Sequence, residues 1–358
     1  MSFRTRRVLF ITPFYMLFEF FLLKYLFLLI GGLNDGHLVI LTVIIGALHF
    51  VPMLFEEKKS RAFTRFLETI DGIWMWASVM FLIDIVVIYL AGLFIGIPQG
   101  IIYLLLAIVP ILGVYNYHKA HKLVVNEEIL ELDNLTHDID IVHLSDVHFG
   151  SVRHKEIIAQ IANKLDELED KCDLAIISGD LADGSCAVEE NDFMRLKDVK
   201  MPIFFTPGNH DFYPGIENVI KACKNAGIVV LDNENHEFKN LNIYGLTYSF
   251  DEIKMPTKEE LGNSINPDLV NIINYHVPYY WEEFSSLGFD IQLSGHTHGG
   301  QFYPVVSIAN LMFKYNKGLF KNKLGKYIHV TTGVGSMDTP MRWGTDSELV
   351  ILKLRKSK

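Results

Sequence analysis

At 358 residues the chain is long enough for two folded units. Half of its residues are apolar and its formal net charge is −10, but neither property is evenly spread: residues 1–120 hold nine Lys and Arg against seven Asp and Glu, and the remainder holds 23 against 35. That acidity argues against a nucleic-acid surface, which needs clustered Lys and Arg, and three cysteines without CxxC spacing argue against a disulfide framework or a thiolate metal site and fit a reducing compartment.

Four apolar stretches come first, at residues 8–30, 38–55, 72–95 and 101–115. About 20 apolar residues cross a bilayer, so the first and third qualify by length, and the second and fourth are short but nearly uncharged. Four spans are expected, with three spans and a re-entrant hairpin as the competing arrangement. A signal peptide is a poor account of the first stretch, whose apolar run is long and followed by no small-residue cleavage site. Arg4, Arg6, Arg7, Lys58, Lys59, Arg61, Arg65, Lys119 and Lys122 all fall on one side of such a bundle, and the two opposite connections carry no Lys or Arg. The positive-inside rule then places both termini, and the acidic half, in the cytoplasm. Among polar residues in or near the spans, Glu68 and Asp71 are expected at a helix start, and Glu19 and Lys24 as a pair across the bundle.

Residues 118–134 read as a linker leading into an edge strand at 122–132. Apolar runs rich in β-branched residues follow at 139–144, 174–178, 203–206, 228–231, 243–246, 272–275, 291–294, 327–331 and 349–354. Residues 155–168 and 216–226 show helical spacing. Continuous apolar strands alternating with helices predict a layered α/β core. Two domains result: a transmembrane region over 1–117 and an α/β domain over 118–358.

Five of the strands run into Asp, Asn or His at their carboxyl ends, where open α/β sheets bind ligands. The blocks are Asp146-Val147-His148, Gly179-Asp180 with Asp183, Gly208-Asn209-His210-Asp211, Tyr275-His276, and Gly295-His296-Thr297-His298. Asp146 and His148 are expected to point the same way from an extended chain. A single D-x-H or G-D is weak, because such pairs occur by chance. Carboxylate, amide and imidazole donors together suit divalent Mn, Fe or Zn.

This ordered set resembles the calcineurin-like metallophosphoesterase superfamily, and the block Ser294–Gln301 resembles its membrane-associated bacterial branch with the sequence SGHTHGGQ. The resemblance covers roughly residues 122–355. It implies a βαββα-type sandwich, here preceded by an all-α four-helix transmembrane region. It also implies two divalent metal ions: one held by Asp146, His148 and His298, the other by Asn209, His276 and His296, with Asp180 bridging. His210 would act on the leaving group, Asp211 would orient its ring, and Asp183 would be structural. Hydroxide activated by the metal pair would attack phosphorus.

Arg342 is a candidate phosphate contact, with a structural salt bridge as the alternative. His143 reads as core, and His154, His236 and His329 as surface or packing residues. Phe302, Tyr303, Tyr315 and Phe320 would line an apolar groove or pack under a loop. The function implied is a phosphodiesterase or pyrophosphatase acting at the membrane on a lipid-borne or amphipathic phosphate ester, such as a nucleotide-linked glycolipid precursor. The alternatives are a broad phosphomonoesterase or nucleotide phosphodiesterase merely anchored there, and a non-catalytic membrane sensor or scaffold. No protein partner is inferable.

Overall fold

The computed structural model describes residues 3–56, 59–251 and 254–357. The chain divides into two compact units, Met1–His121 with Ser185–Ala187 and Met337–Met341, and Lys122–Gly184 with Val188–Ser336 and Arg342–Lys358.

In the first unit four helices, α1 (Phe3–Ile30), α2 (Asp35–Glu56), α3 (Ala62–Gly92) and α4 (Gln99–His121), are each long and apolar enough to cross a membrane. Their apolar side chains largely face outward, as in Phe14, Ile40, Val87 and Leu104, which suits a lipid phase. Small residues let the helices approach: a Cβ on Gly46 would meet Met16 of α1 at 2.7 Å. Two expectations fail here. Helix α3 begins at Ala62, so Glu68 and Asp71 lie beyond its first turn, out of reach of the dipole, and Asp71 instead accepts from His49 at 2.9 Å. Glu19 does not pair with Lys24. It accepts from Trp74 Nε1 and Ser78 Oγ on α3, and Lys24 lies 3.8 Å from Asp35.

The second unit packs two six-stranded sheets. The first has the order β1-β12-β2-β3-β4-β5, built from β1 (Leu123–Leu132), β12 (Ser347–Lys356), β2 (Ile139–Leu144), β3 (Leu174–Ser178), β4 (Ile203–Thr206) and β5 (Val229–Val230). The second has the order β10-β11-β9-β8-β7-β6, built from β10 (Gly318–Lys321), β11 (Tyr327–Val330), β9 (Ile291–Ser294), β8 (Val270–Tyr275), β7 (Leu241–Leu246) and β6 (Glu234–Phe238). The expected linker is absent, because α4 runs to His121 and β1 starts two residues later. β1 is an edge strand, as its charged outer positions suggest, and it pairs in parallel with β12.

Ile141, Ile176, Phe204, Ile272, Leu293 and Leu352 form the interleaf between the sheets. Truncating one such side chain to Ala typically costs about 2–5 kcal/mol. Helices α5 (His154–Leu168) and α6 (Ile216–Asn225) bury one apolar stripe each. The outer face of the second sheet carries its own cluster around Trp281 and Phe284 of α8 (Trp281–Leu287), joined by Leu261 of α7 (Lys258–Asn263).

Strands β2, β3 and β4 are mutually parallel, as are β7, β8, β9 and β11. Their carboxyl ends therefore deliver the Asp, Asn and His blocks to one region. The fold is a two-sheet α/β sandwich, preceded in the chain by four long apolar helices.

Candidate metal centre

Three of the five site loops leave their strands through left-handed residues. Asp146 and His148 have φ near 49°, Asp180 53°, His296 71° and His298 50°. This conformation costs a side chain about 1–2 kcal/mol, and such outliers concentrate at functional sites, where surrounding structure enforces them. It also corrects one expectation. Asp146 and His148 do not converge by the alternation of an extended chain, since β2 ends at Leu144 and the two residues are turned inward separately. Gly179, at φ +82°, must lack a side chain: a Cβ there would lie 2.6 Å from His276 Nδ1 and 2.8 Å from the Gly208 backbone.

Two groups of donors result. Asp146, His148 and His298 gather in one, and Asp180, His276 and His296 in the other. In the first, Asp146 Oδ1 lies 3.3 Å from His298 Nε2 and 3.8 Å from His148 Nε2, and the two Nε2 atoms are 3.0 Å apart. In the second, Asp180 Oδ2 lies 3.0 Å from His276 Nε2, which is 3.3 Å from His296 Nδ1. Asp180 Oδ2 is also 3.9 Å from His148 Nε2, so this carboxylate stands between the groups.

The donors fit divalent ions on grounds of hydrogen bonding alone. Asn209 Oδ1 is buried without a partner, and Nε2 of His148 and Nε2 of His298 crowd together beside the Asp146 carboxylate. Buried polar atoms are normally paired, and a cation between these atoms resolves the arrangement. His276 Nδ1 donates to the Ser178 carbonyl at 2.7 Å, which leaves Nε2 as the free donor atom. Asp146 accepts from Ser145 Oγ and from the His296 backbone N–H.

Burial opposes charge on all these groups, and their neighbours decide the outcome. Against burial, the histidines around Asp146 hold its carboxyl well below the usual range. Burial lowers His276, but Asp180 outweighs it and pushes the ring up to about 9. Burial, with the His276 charge nearby, brings His296 down to about 4.

His210 lies beside the first group, its ring 4.9 Å from those of His148 and Tyr213. Its backbone N–H donates to Asp180 Oδ1 at 2.8 Å. Its Nδ1 is 3.4 Å from the Asp183 carbonyl, and burial lowers its pKa. Asp211 does not touch this ring, contrary to expectation. Its oxygens accept from the backbone N–H groups of Asp180, Ala182 and Gly208 at 2.8–2.9 Å, because a fully buried carboxylate needs donors and these turns supply three. Burial, with Asp180 nearby, pushes Asp211 up to about 7.

Arg342 is held by the protein's own acceptors. It is fully buried, with Nη1 donating to Thr345 Oγ1 and the Asp346 carbonyl, and Nη2 to the carbonyls of Thr332, Gly333 and Gly335. Among the described residues it makes no salt bridge; the guanidinium clasps a loop. Tyr315 packs on Phe320, and Tyr303 on Trp343.

Sequence reasoning missed the polar layer beneath the site. Asn274 Nδ2 donates to Thr206 Oγ1 and the Ile177 carbonyl, and Asn274 Oδ1 accepts from Ser178 Oγ. Ser178 Oγ in turn meets His143 Nε2 at 2.7 Å, and His143 Nδ1 meets His329 Nδ1 at 2.6 Å. His143 is core, as read, and His329, read as a surface or packing residue, is packed there as its hydrogen-bonded partner. The available signal was a polar residue inside an apolar strand, as at Ser178 and Asn274.

Residues 139–300 match the calcineurin-like phosphoesterase family. An uncharacterized metallophosphoesterase of Helicobacter pylori is 28% identical over 236 residues, covering 64% of this chain and 63% of that one. An uncharacterized metallophosphoesterase of Aquifex aeolicus is 29% identical over 255 residues, covering 68% and 97%. A transmembrane protein with metallophosphoesterase domain from Danio rerio is 25% identical over 269 residues, covering 70% and 61%. The chain thus spans less than two thirds of the length of the Helicobacter relative.

Proposed function

The chain belongs to the calcineurin-like phosphoesterase family, and from that premise we propose that it hydrolyses phosphate esters, preferentially diesters or pyrophosphates, presented at a membrane. The observation that carries this reading is the convergence of Asp146, His148 and His298 with Asp180, His276 and His296, next to the His210 ring.

Two divalent ions would be held there, one by Asp146, His148 and His298, the other by Asn209, His276 and His296, with Asp180 between them. Such ions supply positive charge toward phosphoryl oxygens and a water ionised near neutral pH. The chain's own residues do the rest. Ser178 presents its carbonyl to His276 and fixes which nitrogen faces the site. Asp211 ties together the turns that carry Asp180 and His210. His210 Nε2 makes no hydrogen bond among the described residues. The anionic substrate raises its pKa, so the ring can hold a proton toward the leaving oxygen.

The four apolar helices support a membrane-borne or amphipathic substrate, since they confine enzyme and ester to one surface. Nucleotide-linked glycolipid precursors belong to that class. The asymmetry of Lys and Arg supports a cytoplasmic catalytic unit.

The test is full-length protein purified with Mn²⁺ and offered phospholipids, nucleotide-sugar lipids, nucleotides and a soluble chromogenic phosphodiester. Chelator-sensitive cleavage of the diester, with faster turnover of a lipid-borne ester, is expected. Metal-loaded protein that cleaves none of them contradicts the enzymatic reading.

A further inference from the structure

Helix α9 (Val305–Met312) follows directly from the block that carries His296 and His298. It turns Val306 and Ala309 inward and leaves Val305, Ile308, Leu311 and Met312 outside. Leu311 is 89% exposed and Met312 70%. An exposed apolar patch of this kind marks an interaction site. The helix is seated on the site: a Cβ on Gly300 would lie 2.5 Å from the Val306 backbone. Phe313, at its end, lies 6.1 Å from the His296 ring and stacks on Tyr279.

The charge around α9 differs from that of the rest of the unit. Between Asp290 and Asp338 the sequence has no Asp or Glu and five Lys, although residues 121–358 as a whole are acidic. Lys314 and Lys317 follow α9 immediately. Lys314 pairs with Glu282, and Lys317 Nζ donates to the Gly344 carbonyl and makes no ion pair among the described residues.

We propose that the outer face of α9 enters the boundary between headgroups and acyl chains of the bilayer that holds the four N-terminal helices, and so brings the metal centre to the lipid surface. The same chain carries the reason for a bilayer as occupant, since helices able to span keep such a surface at hand. Shape agrees. Leu311 and Met312 project from the protein, which suits insertion into a soft apolar phase and not the gripping of a single chain. A stretch with five Lys and no Asp or Glu between Asp290 and Asp338 suits anionic headgroups. The inference deepens the proposed function by giving the membrane-borne ester a route to the site, and it rests on the four helices being spans.

The test places a nitroxide label on Leu311→Cys in the full-length chain, in nanodiscs of phosphatidylcholine with one quarter phosphatidylglycerol. The native Cys172, Cys186 and Cys223 are buried, so labelling is confined to the new site. Oxygen partitions into lipid and a nickel chelate stays in water, so their collision ratio reports depth. The ratio at Leu311 should exceed by several-fold that of the same label at Ile129→Cys, an exposed apolar position on edge strand β1. Ile308→Cys should agree with Leu311→Cys. Equal ratios at Leu311 and Ile129 overturn the proposal. So does spin–spin broadening that disappears on dilution with unlabelled chain, which would assign the face to a second copy. Low collision with both reagents overturns it as well, by showing a protein partner. Hydrolysis of a soluble diester by the same samples reports the phosphoesterase reading separately, so either can fail alone.

Discussion

Asp180 and His276 face each other with Oδ2 3.0 Å from Nε2, while the opposite nitrogen of the same ring donates to the Ser178 carbonyl at 2.7 Å. With Nδ1–H committed, Nε2 is the atom a cation would take, and it is also where a proton sits when no cation competes. Burial would raise Asp180, but the His276 charge outweighs it and holds the carboxyl low.

Metal uptake at His276 should therefore release a proton. Burial lowers this ring, Asp180 overrides it, and its pKa reaches about 9, so at about pH 7.5 the metal-free ring is charged. Affinity should climb about tenfold per pH unit and level off above about pH 9. Calorimetry of Mn²⁺ binding in two buffers of different ionisation enthalpy reads the proton directly. No release at pH 7.5 would count against His276 as a ligand.

The replete protein should carry close to two metal ions per chain by elemental analysis. Asp180→Asn should weaken both sites, because this carboxylate reaches His276 in one group and approaches His148 in the other. His298→Ala should chiefly weaken the first. Full activity with a single ion would refute the dinuclear arrangement.

His210→Ala should retain metal and lose turnover by about 10²–10⁴-fold. Protonation of the leaving oxygen predicts that the loss shrinks for esters with good leaving groups. A loss that is constant across leaving groups would assign the ring to charge stabilisation instead.

Arg342→Met should destabilise the catalytic unit by on the order of 3 kcal/mol or more, since it strips donors from several buried carbonyls. Arg342→Lys should not rescue it, because an ammonium lacks the planar fork that spans Thr332, Gly335 and Asp346. Thermal unfolding measures both. Unchanged stability would return Arg342 to the substrate side of the argument.

A reporter active only in the cytoplasm should work when fused after Lys358 and fail when inserted between Gly31 and His37. The reverse pattern would place the catalytic unit, and its pool of esters, on the other side of the membrane.

Much of this protein is local and was therefore readable in the chain. The four apolar runs, the strands β2, β3, β4 and β9, and the Asp, Asn and His residues at strand ends each depend on neighbours within a few positions, since apolar periodicity and turn chemistry act over that range. Short polar strands such as β6, and α9 with its outward apolar face, carried no comparable signal.

What only the tertiary structure decided is which groups meet. His148 and His298 converge across 150 residues, and His143 and His329 across 186. Asp211 spends its oxygens on backbone N–H groups and Arg342 its nitrogens on a loop. Each outcome follows from one physical requirement: a polar group carried out of water must find its partner among whatever the two sheets bring to that depth. No stretch of sequence specifies that partner alone, because it is supplied by strands that meet only once the sheets have packed.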